Sequence, residues 1–189
     1  MSYVFRLILS NGLAFVCFLF VIFSSIHIKK DSMLRINLAM MLLTFTAYVI
    51  IGCFDAATAT LFGALRSYVC LKFPDRKEGA AVKAAVLVVG TAFSAWCAWR
   101  GGGNWVAYLP AVSFLFCSCG TYLTRSSSAM RIVSAVDILL FWLIFDYINL
   151  MAFNVVTDLF VVLFPFAERY VKLDHTDGAE QTETITTTS

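Results

Sequence analysis

Seven apolar runs of helix length follow one another along the chain, separated by short polar or basic segments. The apolar residues are continuous rather than alternating, which is typical of lipid-facing helices and not of membrane barrel strands. The pattern predicts an all-α membrane protein with seven transmembrane helices. The predicted spans are roughly Val4–Ile26, Ile36–Cys53, Ala56–Leu71, Ala80–Trp99, Trp105–Leu123, Ile132–Leu150 and Met151–Arg169.

Composition supports a membrane protein and argues against a soluble one. Of the 189 residues, 60% are hydrophobic and only 14% are charged, and the mean hydropathy is +0.83. A soluble domain carries about 25% charged residues. At this length, a soluble core could not bury so many large apolar side chains.

Residues 1–173 form one predicted transmembrane domain, followed by a polar tail at 174–189. The tail is rich in Thr and Glu and has few apolar residues, so we expect it to be disordered in the cytoplasm. The first run lacks a signal-peptide cleavage pattern, which predicts an uncleaved first helix.

Basic residues are distributed unevenly between the two sets of loops. Eleven of the fourteen Lys and Arg residues fall on one side of the predicted membrane, two fall on the other, and Arg66 lies inside a span. Because Lys and Arg accumulate in cytoplasmic loops, this bias places the N-terminus outside and the C-terminus in the cytoplasm. It also favours an odd number of spans.

The chain partly overlays itself when it is shifted by 96 residues. Ten positions between residues 17 and 57 are then identical, without a gap, and they include an S-x-x-R pattern in corresponding loops. The shift predicts two parallel three-helix repeats, at about 4–73 and 105–169, joined by a linker helix at about 80–99. Parallel repeats of this kind are related by an axis along the membrane normal.

Several local patterns resemble the YgjV-type inner membrane proteins of bacteria. They are the basic loop "IKKDSMLRI", the stretch "AMMLLTFTAYVIIGCFDAATATLFGALRSYV", and "DILLFWLIFDYINLMAF" after the second S-x-x-R loop. The resemblance covers most of residues 10–170 and implies a multi-pass protein of the bacterial inner membrane. That family looks like a distant relative of the seven-helix SWEET and PnuC transporters, and the resemblance leaves its own activity undefined.

Ionisable residues inside the spans are the strongest candidates for a site, because a charge in the bilayer persists when it is paired or lines a wet cavity. Arg66 and Asp137 lie at similar predicted depths, and Asp158 lies near the midplane. We expect Arg66 to pair with Asp137 or Asp158. A structural ion pair, a transport site and snorkelling of Arg66 to the headgroups are all consistent with this placement.

Asn154 and Thr58 correspond under the 96-residue shift, and each lies about one turn from an ionisable position. They are candidate hydrogen-bonding residues for a small polar solute, although contacts between helices would also explain them.

The leading predicted function is transport of a small polar solute by rocking of the two repeats. The alternative is a membrane scaffold, assembly or regulatory protein. We expect no enzyme activity, cofactor or metal site, because no span contains His and no metal-ligand spacing occurs. The expected partners are the lipid bilayer and the solute but not nucleic acid, and a homo-oligomer remains open.

Overall fold

The computed structural model describes residues 3–26, 30–73, 79–123 and 127–171. The described chain is helical throughout and contains no strand, which confirms the all-α prediction. The predicted disordered tail at 174–189 lies outside the described residues.

Seven helical rods follow one another within these ranges, and their bounds lie close to the predicted spans. We label them α1 to α7 in chain order. The rods are α1 Tyr3–Ile26, α2 Lys30–Ile51, α3 Phe54–Lys72, α4 Ala80–Arg100, α5 Trp105–Leu123, α6, and α7 Ala152–Val171. The sixth rod, α6, consists of Ser127–Asp137, a π-helical segment Ile138–Trp142, and Leu143–Ile148.

Four of the described helices are long and apolar enough to cross a bilayer by themselves: Tyr3–Ile22, Asp31–Ile51, Ala80–Arg100 and Trp105–Leu123. A shorter apolar stretch covers Ala152–Leu163. The third rod is less apolar because its buried face carries Thr60, Arg66 and Ser67 among small residues. Its polar face is turned into the protein rather than outward.

Six of the rods form a closed ring. In order, α1 packs against α2, α2 against α3, α3 against α5, α5 against α6, α6 against α7, and α7 against α1. The remaining helix, α4, packs against α3 and α5. Large apolar side chains such as Ile8, Val88 and Leu139 are exposed on the outside of this bundle, as expected for helices that face lipid.

Glycines bring neighbouring helices close together inside the bundle. A Cβ on Gly90 of α4 would lie 2.5 Å from the Phe114 ring of α5 and 2.9 Å from the Phe62 ring of α3. A Cβ on Gly63 would lie 3.2 Å from the sulfur of Met41. Small residues at helix crossings let backbones approach, and in a bilayer such packing drives helix association.

Two apolar clusters lie near the two ends of the ring. One contains Ala47, Tyr48, Ala56, Ala57, Phe145 and Met151, and the other contains Leu34, Cys70 and Met130. Leu34 and Tyr48, one from each cluster, both lie on α2 and are about 21 Å apart along the helix axis, at about 1.5 Å per residue. The space between the two clusters is where the polar side chains of the ring collect.

Candidate functional site

A cavity of about 190 Å³ lies in the middle of the ring. Every one of the six ring helices contributes to its wall, whereas α4 contributes none of the lining residues. At about 30 Å³ per water molecule, the volume corresponds to roughly six waters. The charged groups in the wall are Arg66, Arg131, Asp137, Asp146 and Asp158.

Arg66 projects from the buried face of α3 into this cavity and is 3% exposed. Its Nη1 donates to the Ser118 hydroxyl at 3.5 Å, and the Cys117 thiol lies beside the guanidinium. Asp137 is near enough for a Coulombic interaction with Arg66. Among the described residues, the contacts of the Arg66 guanidinium thus go to Ser118 and Cys117 of α5, and neither Asp137 nor Asp158 forms the expected direct pair with it.

Asp137 occupies the last turn of the first α-helical part of α6. Its Oδ2 accepts a hydrogen bond from the Ser113 hydroxyl at 3.0 Å, while its buried Oδ1 has no hydrogen-bond partner among the described residues. The physical reason for the missing ion pair is the position of α5. This helix lies between α3 and α6, and its hydroxyls, Ser118 and Ser113, bind Arg66 and Asp137 separately.

A second polar group in the cavity wall consists of Tyr48, Asp146, Asn154 and Asp158. The Tyr48 hydroxyl donates to Asp146 Oδ1 at 2.5 Å and accepts from Asn154 Nδ2 at 3.1 Å. The carboxyl of Asp158 interacts with that of Asp146, and its buried Oδ2 has no hydrogen-bond partner in the described part of the chain. Tyr48 thereby links α2 to both α6 and α7, across the boundary between the two predicted repeats.

The π-helical segment explains why Asp146 faces the cavity. Asp137 and Asp146 are nine residues apart, and at about 100° per residue a regular α-helix would point them to opposite sides. The N–H of Leu143 instead bonds to the carbonyl of Ile138, five residues earlier. This wider turn accommodates one extra residue and rotates the rest of the helix back by about 100°. Both carboxyls consequently line the cavity.

The structure brings four of the five candidate residues to one cavity. Arg66, Asp137, Asp158 and Asn154 line it, whereas Thr58 is not among the lining residues. The Thr58 hydroxyl instead donates to the Asp55 carbonyl at 2.9 Å, one turn back in α3. Two residues further on, Thr60 is the threonine of α3 that lines the cavity.

Sequence reasoning missed two central residues of the site, Tyr48 and Asp146. Neither residue is among the candidates predicted from the sequence. The sequence does show a tyrosine and an aspartate within apolar runs, which could have marked them as site residues. Their pairing could not be predicted, because it depends on the π-helical segment. In the described chain, no three His, Cys, Asp or Glu side chains form a group that could hold a metal ion.

A ring of helices with an apolar exterior and a polar interior defines an integral membrane protein of the multi-helix class. The chain belongs to the Imp-YgjV family of bacterial inner membrane proteins, because the family model matches residues 8–166. No curated protein and no solved structure matches the chain. The resemblance to YgjV-type proteins is therefore confirmed, while similarity to SWEET and PnuC transporters stays a prediction.

Proposed function

We propose that this protein carries a small polar solute across the bacterial inner membrane. The observation that carries the proposal is the cavity of about 190 Å³ inside the ring, lined by five charged side chains from α3, α6 and α7. Ionisable groups inside a membrane protein are costly and mark solute or ion pathways. A protein serving only as an apolar scaffold has no need of such a cavity.

Alternating access would arise from rocking of two three-helix units, α1–α3 and α5–α7, around the cavity. The packing supports a two-fold relation between them. The first helix of each unit packs against the third helix of the other, since α1 contacts α7 and α3 contacts α5. In this arrangement α4 is the linker helix, outside the ring.

Contacts between corresponding residues also support a two-fold axis. Under the 96-residue shift, Leu34 corresponds to Met130, and the two share one apolar cluster. Cys53 corresponds to Asn149, and the Cys53 thiol lies 3.5 Å from Asn149 Oδ1. Corresponding residues touch each other where a two-fold axis passes, so these pairs are consistent with an axis running along the helices.

The proposed topology has seven spans, with the N-terminus outside and the C-terminus in the cytoplasm. The uneven distribution of Lys and Arg supports it. In this orientation, the cluster around Tyr48 lies towards the outer end of the ring and the cluster around Leu34 lies towards the cytoplasmic end.

Uptake into vesicles tests the proposal for many polar solutes at once. Proteoliposomes containing the full chain are incubated with an isotope-labelled extract of polar metabolites, washed, and examined by mass spectrometry. We expect at least one metabolite to accumulate relative to protein-free vesicles. The accumulation should fall at least about tenfold in an Asp158→Asn variant, because each lost 1.4 kcal/mol of binding reduces affinity tenfold.

The matched control is Asp55→Asn, which changes a half-buried aspartate of α3 that does not line the cavity. It should transport like the unmodified protein. Equal contents in protein-containing and empty vesicles would contradict transport and favour the alternative, a scaffold, assembly or regulatory protein.

A further inference from the structure

The charged groups of the cavity do not balance when all are ionised. Three carboxyls, Asp137, Asp146 and Asp158, face two guanidiniums, Arg66 and Arg131. One negative charge is then in excess inside a low-dielectric bundle, where uncompensated charge is expensive. A proton on one of the carboxyls or a bound monocation would restore neutrality, whereas an anion would increase the imbalance.

Two carboxylate oxygens in the wall lack partners among the described residues. Asp137 Oδ1 and Asp158 Oδ2 are buried and accept no hydrogen bond there, although their residues are only 4% and 7% exposed. Buried polar atoms in folded proteins nearly always have a partner, so each exception points to a missing donor. Both atoms are acceptors on acidic groups, and N–H or O–H donors from a ligand or from water would satisfy them. The Nε–H of Arg66 in the same wall also lacks a partner and would be satisfied by an acceptor.

An aromatic wall adjoins the carboxyls. The rings of Tyr48 and Trp142 stack with centroids 5.8 Å apart, and both residues line the cavity. Tryptophan and tyrosine faces attract organic cations. Methionines from α2 and α6, including Met40, Met41 and Met130, provide an apolar surface that adapts to an alkyl body.

We propose that the cavity binds a small organic monocation, a primary or secondary amine, whose ammonium group bridges Asp137 and Asp158. The ammonium donates to the two unpartnered oxygens, Tyr48 and Trp142 face its charge, and the methionines contact its carbon chain. This proposal names the class of solute for the proposed carrier. Movement of the amine across the membrane rests on the carrier function, whereas binding of the amine does not depend on it.

Fluorescence of Trp142 provides a direct readout of binding. The other three tryptophans, Trp96, Trp99 and Trp105, are exposed outside the cavity and are replaced by Phe, which leaves Trp142 as the single reporter. The full chain in detergent is titrated with butylamine, 1-butanol and butyrate. These probes share a four-carbon chain and differ in the charge of the head group.

We expect butylamine to change Trp142 emission saturably and to bind at least about tenfold more tightly than butanol, as one charge-assisted hydrogen bond would give. Butyrate should not bind. Asp137→Asn and Asp158→Asn should each weaken butylamine binding at least about tenfold, whereas Asp55→Asn should leave it unchanged. Gel filtration establishes which variants are folded.

Equal binding of butylamine and butanol, or preferential binding of butyrate, would overturn the proposal even if both aspartate variants failed to fold. Failure of the two proposals can be told apart. Butylamine binding without uptake of any amine would leave the site standing and remove the carrier function. Uptake of another metabolite without butylamine binding would leave the carrier standing and remove the amine site.

Discussion

Oxidation of an Asn149→Cys variant is expected to arrest transport by joining the two units. The native Cys53 thiol lies 3.5 Å from Asn149 Oδ1, between the α2–α3 turn and the α6–α7 turn. Two cysteines with their Cα atoms within about 7 Å can form a disulfide. If the outer ends of the units separate during transport, the disulfide should lower uptake at least about tenfold, and a reductant should restore it.

The measurement uses proteoliposomes and a background in which the other native cysteines are replaced by alanine. A matched control carries Asn149→Cys together with Cys53→Ala; it cannot form the disulfide, so the same oxidation should leave its uptake unchanged. Mass spectrometry measures the yield of the disulfide between Cys53 and the introduced thiol in the test variant. Full transport by the Asn149→Cys variant after its complete oxidation would contradict movement of one unit against the other.

Arg66→Ala is expected to abolish uptake and to lower the free energy of unfolding by about 0.5–1.5 kcal/mol, because the 3.5 Å contact with Ser118 is a long hydrogen bond. The variant leaves the Ser118 hydroxyl without its cation and removes the positive charge near Asp137. Uptake and thermal unfolding in detergent check the two effects separately.

Arg66→Lys separates charge from geometry, because lysine retains the positive charge but not the planar guanidinium fork. We expect it to recover more uptake than alanine does. Arg100→Ala is the matched control, since Arg100 is exposed at the end of α4 and lies outside the cavity. Unchanged uptake in Arg66→Ala would remove this residue from the proposed mechanism.

The helices were predictable because long apolar runs and short breaks are encoded locally. The predicted Trp105–Leu123 has the bounds of α5, and the rods near the other runs differ by a few residues. The largest difference is at α2, which begins at Lys30 instead of Ile36. Basic and polar residues at the membrane surface can extend a helix beyond its apolar run.

The composition of the site was predictable only in part. Arg66, Asp137 and Asp158 stood out because ionisable residues are rare inside apolar runs. Their hydrogen-bonding partners, Ser118 and Ser113, could not be recognised from the sequence. Serines within apolar runs look like ordinary packing residues until α5 is placed between α3 and α6. Depth along a helix is readable from sequence, but the identity of the neighbouring helix is a tertiary property.

The orientation of Asp146 could not be predicted from the sequence either. A regular helical wheel directs it away from Asp137, and the π-helical segment turns it back by about 100°, towards the side of Asp137. One-turn π segments have no simple residue signature, although they occur often at functional sites. Thr58 was predicted to belong to the site but does not line the cavity. Its correspondence to Asn154 under the repeat shift does not guarantee the same orientation towards the cavity.

The central claim is that a polar, water-accessible cavity lies inside the ring, and labelling of Cys117 tests it most directly. Cys117 lines the cavity beside Arg66, whereas Cys119, two residues further along α5, does not line it. Single-cysteine variants in vesicles are treated with a small charged methanethiosulfonate and weighed by mass spectrometry. We expect modification of Cys117 but not of Cys119. A Cys117 that reacts only after denaturation would contradict this claim.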